Sequence, residues 1–585
     1  MLSAVSRQGS PTAASSPIAS ALARCRRHFV AAAGFSALSN LLYLAPSLFM
    51  LQVYDRVLPS RGLGTLAGLG VVTLFALAAL AGFEWLRSRL LIRASARLEA
   101  ELATPVLEAT MRGAALSRLA RSEAMRHLEA LRQGVASPSM VAAFDAPWTP
   151  VYVAVGFMLH WSLGLAMILS GAALLLLAWL NDRIIATPMK LASDAAGRAY
   201  ARQAHSASYA AEVRALGMVT ALARSQAQDR ELANGLQTRA SFAAGDIGSI
   251  IRFFRLALQS ATLALGAVLV IEDQISAGAM IAASLLMTRA LAPVEQVVAA
   301  WRQLISSRIA LARLRELFLD DAQPVRTLLP RPTGTLQVEG LTVVAPHDER
   351  RTLTDVSFAL TAGEIVGLVG HSGAGKTTLL RALGGAVEPT AGQVRLDGAS
   401  RSDWDPERLA RHIGYLPQDP VLFPGTIKEN IVRFRHALGE DDDATLDAAA
   451  IAAAEAIGAH EMIARLPQGY DTPVGAGGTG LSAGQAQRIA IARALFGDPA
   501  LLLLDEPTAH LDADAQRAFA AMLVRQRTRG ATVLFATHST DALAGVDKLL
   551  VLAAGRVERF GPIVATPATP PVSKVTPVTF HSWKA

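Results

Sequence analysis

Gly370-His371-Ser372-Gly373-Ala374-Gly375-Lys376-Thr377 decides the fold of the C-terminal part of this chain. It satisfies the pattern GxxxxGK[ST], between the buried-strand run Ile365 to Val369 and a helical run from Thr378 to Leu383. Its glycines let backbone N–H groups face phosphate oxygens, Lys376 reaches the β- and γ-phosphates, and the Thr377 hydroxyl ligates Mg²⁺. Gly370, Ser372, Gly373, Gly375, Lys376, Thr377 and Thr378 form the expected phosphate-binding set. A strand, phosphate loop and helix in this order belong to an α/β domain.

Further along, Leu501 to Leu504 reads as a buried strand. Asp505 at its end can hold the Mg²⁺ shell, and Glu506 can accept a proton from an attacking water. A second strand, Val533 to Ala536, runs into Thr537 and His538. Gln418, in Leu416-Pro417-Gln418-Asp419, carries no meaning alone. Between it and the acidic strand end lies Leu481-Ser482-Ala483-Gly484-Gln485.

In this order the motifs resemble the ATP-binding cassette (ABC) ATPases, with Leu511-Asp512 falling between Glu506 and His538. The resemblance implies ATP and Mg²⁺ as cofactors and a head-to-tail homodimer. Each ATP would lie between one chain's phosphate loop and the other chain's Ser482 and Gly484, with Gln485 and Asp512 in the nucleotide-binding set. It further implies Glu506, His538 and Gln418 as the catalytic group: His538 would position the γ-phosphate, and Gln418 would join Thr377 and Asp505 around the metal and couple the site to membrane helices. Two positions depart from the pattern. Ala483 replaces the commoner glycine, and Val344-Ala345-Pro346 offers no aromatic ring where the family usually stacks adenine.

Composition points to a bilayer for the rest. Apolar residues make up 52% and charged residues only 18% of 585, where a soluble protein carries about a quarter charged. Six uncharged or nearly uncharged runs are long enough to span: 29–54, 62–83, 142–160, 163–180, 247–271 and 276–298. Short turns alternate with long arginine-bearing connections, which read as helices extended beyond the membrane. The positive-inside rule puts both termini and the long connections in the cytoplasm. The net charge of +7 therefore reflects cytoplasmic segments and membrane lipid rather than nucleic acid. The single cysteine, Cys25, excludes a disulfide framework. Arg289 in the sixth run reads as a snorkelling side chain, Asp145-Ala146-Pro147-Trp148 as a membrane-entry anchor, and Glu440 to Asp443 as a solvated loop.

The expected organisation is a cytoplasmic tail (1–28), an α-helical six-span ABC exporter transmembrane domain (29–315) and a linker (316–335). An α/β P-loop nucleotide-binding domain with a helical subdomain (336–562) and a disordered Pro/Thr/Val tail (563–585) complete it. Six spans argue against a soluble ABC ATPase acting on nucleic acid. The runs Leu44 to Leu58, Phe144 to Tyr152, Gly278 to Ser284 and Arg289 to Glu295, with Ala459 to Ile463 and Leu466 to Thr472, resemble type I secretion ATPases. The alkaline-protease secretion branch is the nearest likeness, over about residues 29 to 562. Only 28 residues precede Phe29, so an N-terminal cysteine peptidase domain is not expected. The resemblance implies an inner-membrane exporter of an unfolded protein with a C-terminal, uncleaved signal, a periplasmic membrane-fusion adaptor and a TolC-like outer-membrane channel. Export of lipid, peptide or small molecules is the alternative.

Overall fold

Uncharged runs in hydrocarbon can satisfy their backbone groups only within helices or closed barrels. The described part of the first compact unit, residues 1–323, is accordingly helical throughout. The computed structural model describes residues 17–112, 123–320, 329–345, 350–475 and 478–563. Among these, five helical stretches are long and apolar enough to cross a membrane: Pro17–Ser60, Leu63–Arg112, Trp161–Ser208, Val219–Ile271 and Ala277–Ala299. Three of them run for 50, 48 and 53 residues, far more than the ~20 a bilayer needs, so the same helices carry the arginine-bearing extensions.

The expected span over 142–160 is not a single helix. Pro138–Asp145 passes into a 3₁₀ turn, Ala146–Trp148, and then into Thr149–Leu159, only 11 residues long. Pro147 and Pro150 each remove a backbone N–H from the ladder here. The helix that carries the first apolar run begins within the segment 1–28. The first helix starts at Pro17, because Ile18, Ala21 and Cys25 share one helical face and bury it against Ala94, Leu98 and Leu102.

Asp145, in the stretch read as a membrane-entry anchor, is buried among helices. It forms an ion pair with Arg87 at 2.8 Å, the two side chains being 9% and 7% exposed. Ser36 and Asn40 Nδ2 donate to the same carboxylate oxygen, the latter at 2.8 Å. Tyr152 in turn donates to the Asn40 carbonyl at 2.9 Å. The Arg289 guanidinium lies 3.8 Å from the Tyr43 ring centroid, a contact that the sequence reading did not anticipate. Asp55, in the π-helical turn Val53–Val57, accepts from Ser276 Oγ at 2.5 Å and from the Gly278 N–H at 2.9 Å. A Cβ on Gly278 would sit 2.6 Å from the Leu51 carbonyl, so glycine is required there. Four of the motif runs quoted above therefore hold contacts that tie the helices together.

The second unit, residues 324–585, contains two principal sheets and a short antiparallel pair, β7 (Gly425–Thr426) with β8 (Pro473–Val474). β1 (Leu336–Val344), β2 (Arg351–Leu360), β4 (Ala391–Leu396) and β5 (Ala399–Ser400) form an antiparallel sheet in the order β2-β1-β4-β5. The larger sheet has the order β12-β11-β3-β10-β9-β6, where β3 is Ile365–Val369, β6 Ile413–Leu416, β9 Leu501–Asp505, β10 Thr532–Ala536, β11 Lys548–Ala553 and β12 Arg556–Pro562. All its neighbours run parallel except β11 and β12. β9 and β10 are buried at every position, which explains their unbroken apolar reading. The acidic run 440–443 is ion-paired rather than merely solvated: Glu440 with Arg411 at 2.7 Å, Asp441 with Arg435, and Asp443 with His436 at 2.8 Å.

Candidate nucleotide site

Strand register brings four separate motifs to one edge. Ala536 on β10 is level with Leu368 on β3 and with Asp505 on β9, and Leu416 on β6 is level with Leu504. The carboxyl ends of β3, β10, β9 and β6 thus carry the phosphate loop, His538, Asp505-Glu506 and Gln418 in adjacent positions. Ligands of open α/β sheets bind at this edge.

The loop leads into the helix Lys376–Gly384, whose second and third residues are Thr377 and Thr378. Gly373 and Gly375 have φ of 77° and 101°, a region that favours glycine. A Cβ on Gly375 would also approach the Thr352 carbonyl to 3.0 Å. Lys376 is 7% exposed, and its ammonium donates to the Gly370 and His371 carbonyls at 2.8 and 3.2 Å. It therefore sits at the loop's mouth, as a phosphate-binding lysine requires.

Asp505 is 1% exposed and hydrogen-bonded to the Thr377 hydroxyl, while its Oδ2 has no partner. Burial pushes its carboxyl pKa above the ordinary value; the neighbouring Glu506 charge adds to this, and Thr377, Arg381 and Lys376 oppose it. A buried carboxylate oxygen without a donor, beside a hydroxyl, fits a hard oxygen-seeking cation such as Mg²⁺. Glu506 holds a left-handed backbone, φ 48°, fixed by its N–H bond to the Ala536 carbonyl at 3.0 Å. Such strain in a non-glycine residue concentrates at functional sites. Its Oε1 lies 3.3 Å from His538 Nε2. Gln418 is exposed, two residues beyond the end of β6.

Ser482 caps the helix Ala483–Leu495 in a reciprocal box with Gln485, the Ser482 N–H donating to Gln485 Oε1 at 2.8 Å. Ala483 is the exposed first helical residue, where a methyl adds no local strain. Gly484 has a packing reason to be glycine, because a Cβ would meet the His510 carbonyl at 2.9 Å. Asp512 caps the helix Ala513–Thr528 by accepting from the Ala515 N–H, and its other oxygen pairs with Arg488 at 2.7 Å. Val344 ends β1, and the Ala345 N–H donates to the Arg350 carbonyl at 2.9 Å; Pro346 and residues 564–585 lie outside the described residues.

Sequence reasoning missed Gln487. It is fully buried, and its Nε2 donates to the carbonyls of Pro507 and Glu506 at 3.1 and 3.4 Å. One signal was available: Gln487 is a polar residue on the helical face that carries the buried apolar positions Ile491 and Ala494.

Residues 29–294 match the ABC transporter transmembrane region and residues 353–509 the ABC transporter family. The type I secretion system ATP-binding protein PrsD of Rhizobium meliloti (strain 1021) is 41% identical over 549 residues, 93% of each chain. The chain belongs to the type I secretion system ABC transporter ATPases. A second relative in this family, the toxin RTX-I translocation ATP-binding protein of Actinobacillus pleuropneumoniae, is 29% identical over 92% of this chain and 76% of its own length. The fold is that of a bacterial Atm1-family ABC exporter solved with ATP bound (TM-score 0.80, 24% identity, 92% of this chain and 96% of that one). This family member is accordingly an ABC-type ATPase, multi-pass in the inner membrane, with its ATPase domain in the cytoplasm.

Proposed function

We propose that two copies of this chain form a head-to-tail dimer that hydrolyses ATP to export an unfolded protein carrying a C-terminal, uncleaved signal. The observation that carries the reading is the gathering of the phosphate loop, Asp505-Glu506, His538 and Gln418 at one sheet edge. Gly370, Ser372, Gly373, Gly375, Lys376, Thr377 and Thr378 cradle the phosphates. Ser482, Gly484 and Gln485 of the second copy close the site, and Asp512 shapes the turn beside it. Thr377, Asp505 and Gln418 would hold Mg²⁺, which when bound neutralises charge gathered on the β- and γ-phosphates. Glu506 accepts a proton from the water that attacks the γ-phosphorus, and His538 donates an N–H to the γ-phosphate.

We read residues 29–315 as the membrane domain and 336–562 as the cassette, joined by the linker 316–335. The broken segment from Pro138 to Leu159 completes the count of six crossings as the third in chain order, supported by its apolar composition and by the short turn that joins it to the helix Trp161–Ser208. A periplasmic membrane-fusion adaptor and a TolC-like channel would complete the path, as relatives named for secretion and toxin translocation support. Deleting the gene and comparing secreted proteins by mass spectrometry tests the reading. One or more proteins should vanish from the medium and return with the wild-type gene; an unchanged set contradicts it.

A further inference from the structure

The helix Leu63–Arg112 has an outward face that neither the ATPase chemistry nor the helix packing uses. Around the end of the apolar run 62–83 its buried positions are Leu80, Arg87, Leu91 and Ala94. Trp85, Arg89 and Arg93 recur at every fourth residue on the opposite side, and all three are exposed. The Arg89 guanidinium lies 4.4 Å from the Trp85 ring centroid. The stripe starts just past the apolar run, on its arginine-bearing side, the cytoplasmic one by the positive-inside rule. On the helix Trp161–Ser208 a second stack, Arg183 over Trp179 at 5.0 Å, marks the end of the run 163–180.

The stripe is cationic and lacks an anion. Among the described residues neither Arg89 nor Arg93 has an ion pair, while Arg87 and Arg97 on the same helix do. The adjacent carboxylate, Glu84, accepts from the Tyr43 hydroxyl. The neighbouring helix Pro17–Leu42 contains no Asp or Glu. Its Cys25 Sγ donates to the Ala94 carbonyl at 3.7 Å, which brings the exposed Arg26 and Arg27 to the depth of Arg93. A free phosphate would satisfy these cations but leave Trp85 and Ile92, 56% and 54% exposed, without apolar cover. A zwitterionic headgroup would bring its ammonium against arginines with no carboxylate to receive it. A headgroup with a phosphate, no cation and acyl chains matches both parts of the face.

We propose that Trp85, Arg89 and Arg93 hold the headgroup of an anionic phospholipid of the cytoplasmic leaflet. Stacking on Trp85 fixes the plane of the Arg89 guanidinium, whose N–H groups donate to two phosphate oxygens. Arg93, one turn further into the cytoplasm, faces the polar end of the headgroup, and the Trp85 ring lies against the glycerol region. The bound headgroup fixes the depth of the helical turn whose inner side carries Arg87. The inference needs the inner-membrane placement of the chain and not the export reading.

The test uses the purified full-length transporter in phosphatidylcholine nanodiscs. A trace of phosphatidylglycerol or of phosphatidylcholine, each with the same diazirine-bearing acyl chain, is added and photolysed. Chymotryptic peptides covering Trp85 to Arg93 are then quantified by mass spectrometry. Labelling there should be at least about fivefold higher from phosphatidylglycerol than from phosphatidylcholine, and excess unlabelled phosphatidylglycerol should suppress it. Arg89→Gln/Arg93→Gln should bring the ratio to within about twofold of one. Arg465→Gln/Arg517→Gln, which removes the same charge from exposed positions of the cassette, should leave the ratio unchanged. Equal labelling by the two lipids in the wild type, which needs no variant to fold, overturns the inference. An undiminished ratio in Arg89→Gln/Arg93→Gln overturns it as well.

Discussion

Removing one partner of the Arg87–Asp145 pair should cost more than removing both. The two side chains are 7% and 9% exposed, and Ser36 and Asn40 also donate to Asp145. Asp145→Leu leaves the guanidinium buried without its anion, a loss of ~3–5 kcal/mol in comparable sites. The two orphaned donors add roughly 1 kcal/mol each. In Asp145→Leu/Arg87→Met no charge remains buried, and only the Ser36 and Asn40 donors go unpaired, about 2 kcal/mol. At roughly 2 °C per kcal/mol for a unit of this size, each single variant should melt about 6–14 °C below wild type and the double variant about 4 °C below. Thermal unfolding of the purified full-length transporter, scanned at one fixed rate because such unfolding is irreversible, measures this. A double variant at least as unstable as the sum of the singles would refute the ion-pair argument.

Other expectations concern the cassette. Gln487→Leu removes the donor that fixes the Glu506 and Pro507 carbonyls; kcat should fall about tenfold with KM for ATP within about twofold, and adding it to Glu506→Gln should lower the residual rate no further. A steep KM rise instead would mean the glutamine supports nucleotide binding. Asp505→Asn should leave the melting temperature without nucleotide at or above wild type, because it removes a buried charge with an unpartnered oxygen. It should also abolish the extra stabilisation that Mg²⁺ adds to ATP; a preserved Mg²⁺ effect would remove Asp505 from the metal shell. With Val344-Ala345 where an aromatic ring would stack on the base, ATP and GTP should bind with similar affinity by calorimetry, and a strong adenine preference would disprove that.

The cassette was legible because its function demands fixed residue types at fixed strand ends. Gly375 must have positive φ, Lys376 must follow it, and Asp505 must end a buried strand, so spacing alone carried the geometry. The membrane half was legible only in its apolar lengths. Hydropathy cannot tell a continuous helix from one interrupted at Ala146–Trp148, and it says nothing of what Arg289 and Asp145 touch. Their contacts with Tyr43 and Arg87 join positions 246 and 58 residues apart, respectively, and no local pattern records them. Gln487 escaped notice for a related reason: its partners, Glu506 and Pro507, lie about twenty residues downstream.

The most direct measurement is ATP hydrolysis by the purified, lipid-reconstituted Glu506→Gln transporter beside wild type, with ATP binding followed in the same samples. The carboxylate next to His538 is assigned as the base, so binding should persist while turnover falls by ~10²–10⁴. Hydrolysis within a few fold of wild type would contradict the assignment of this site as the engine of transport.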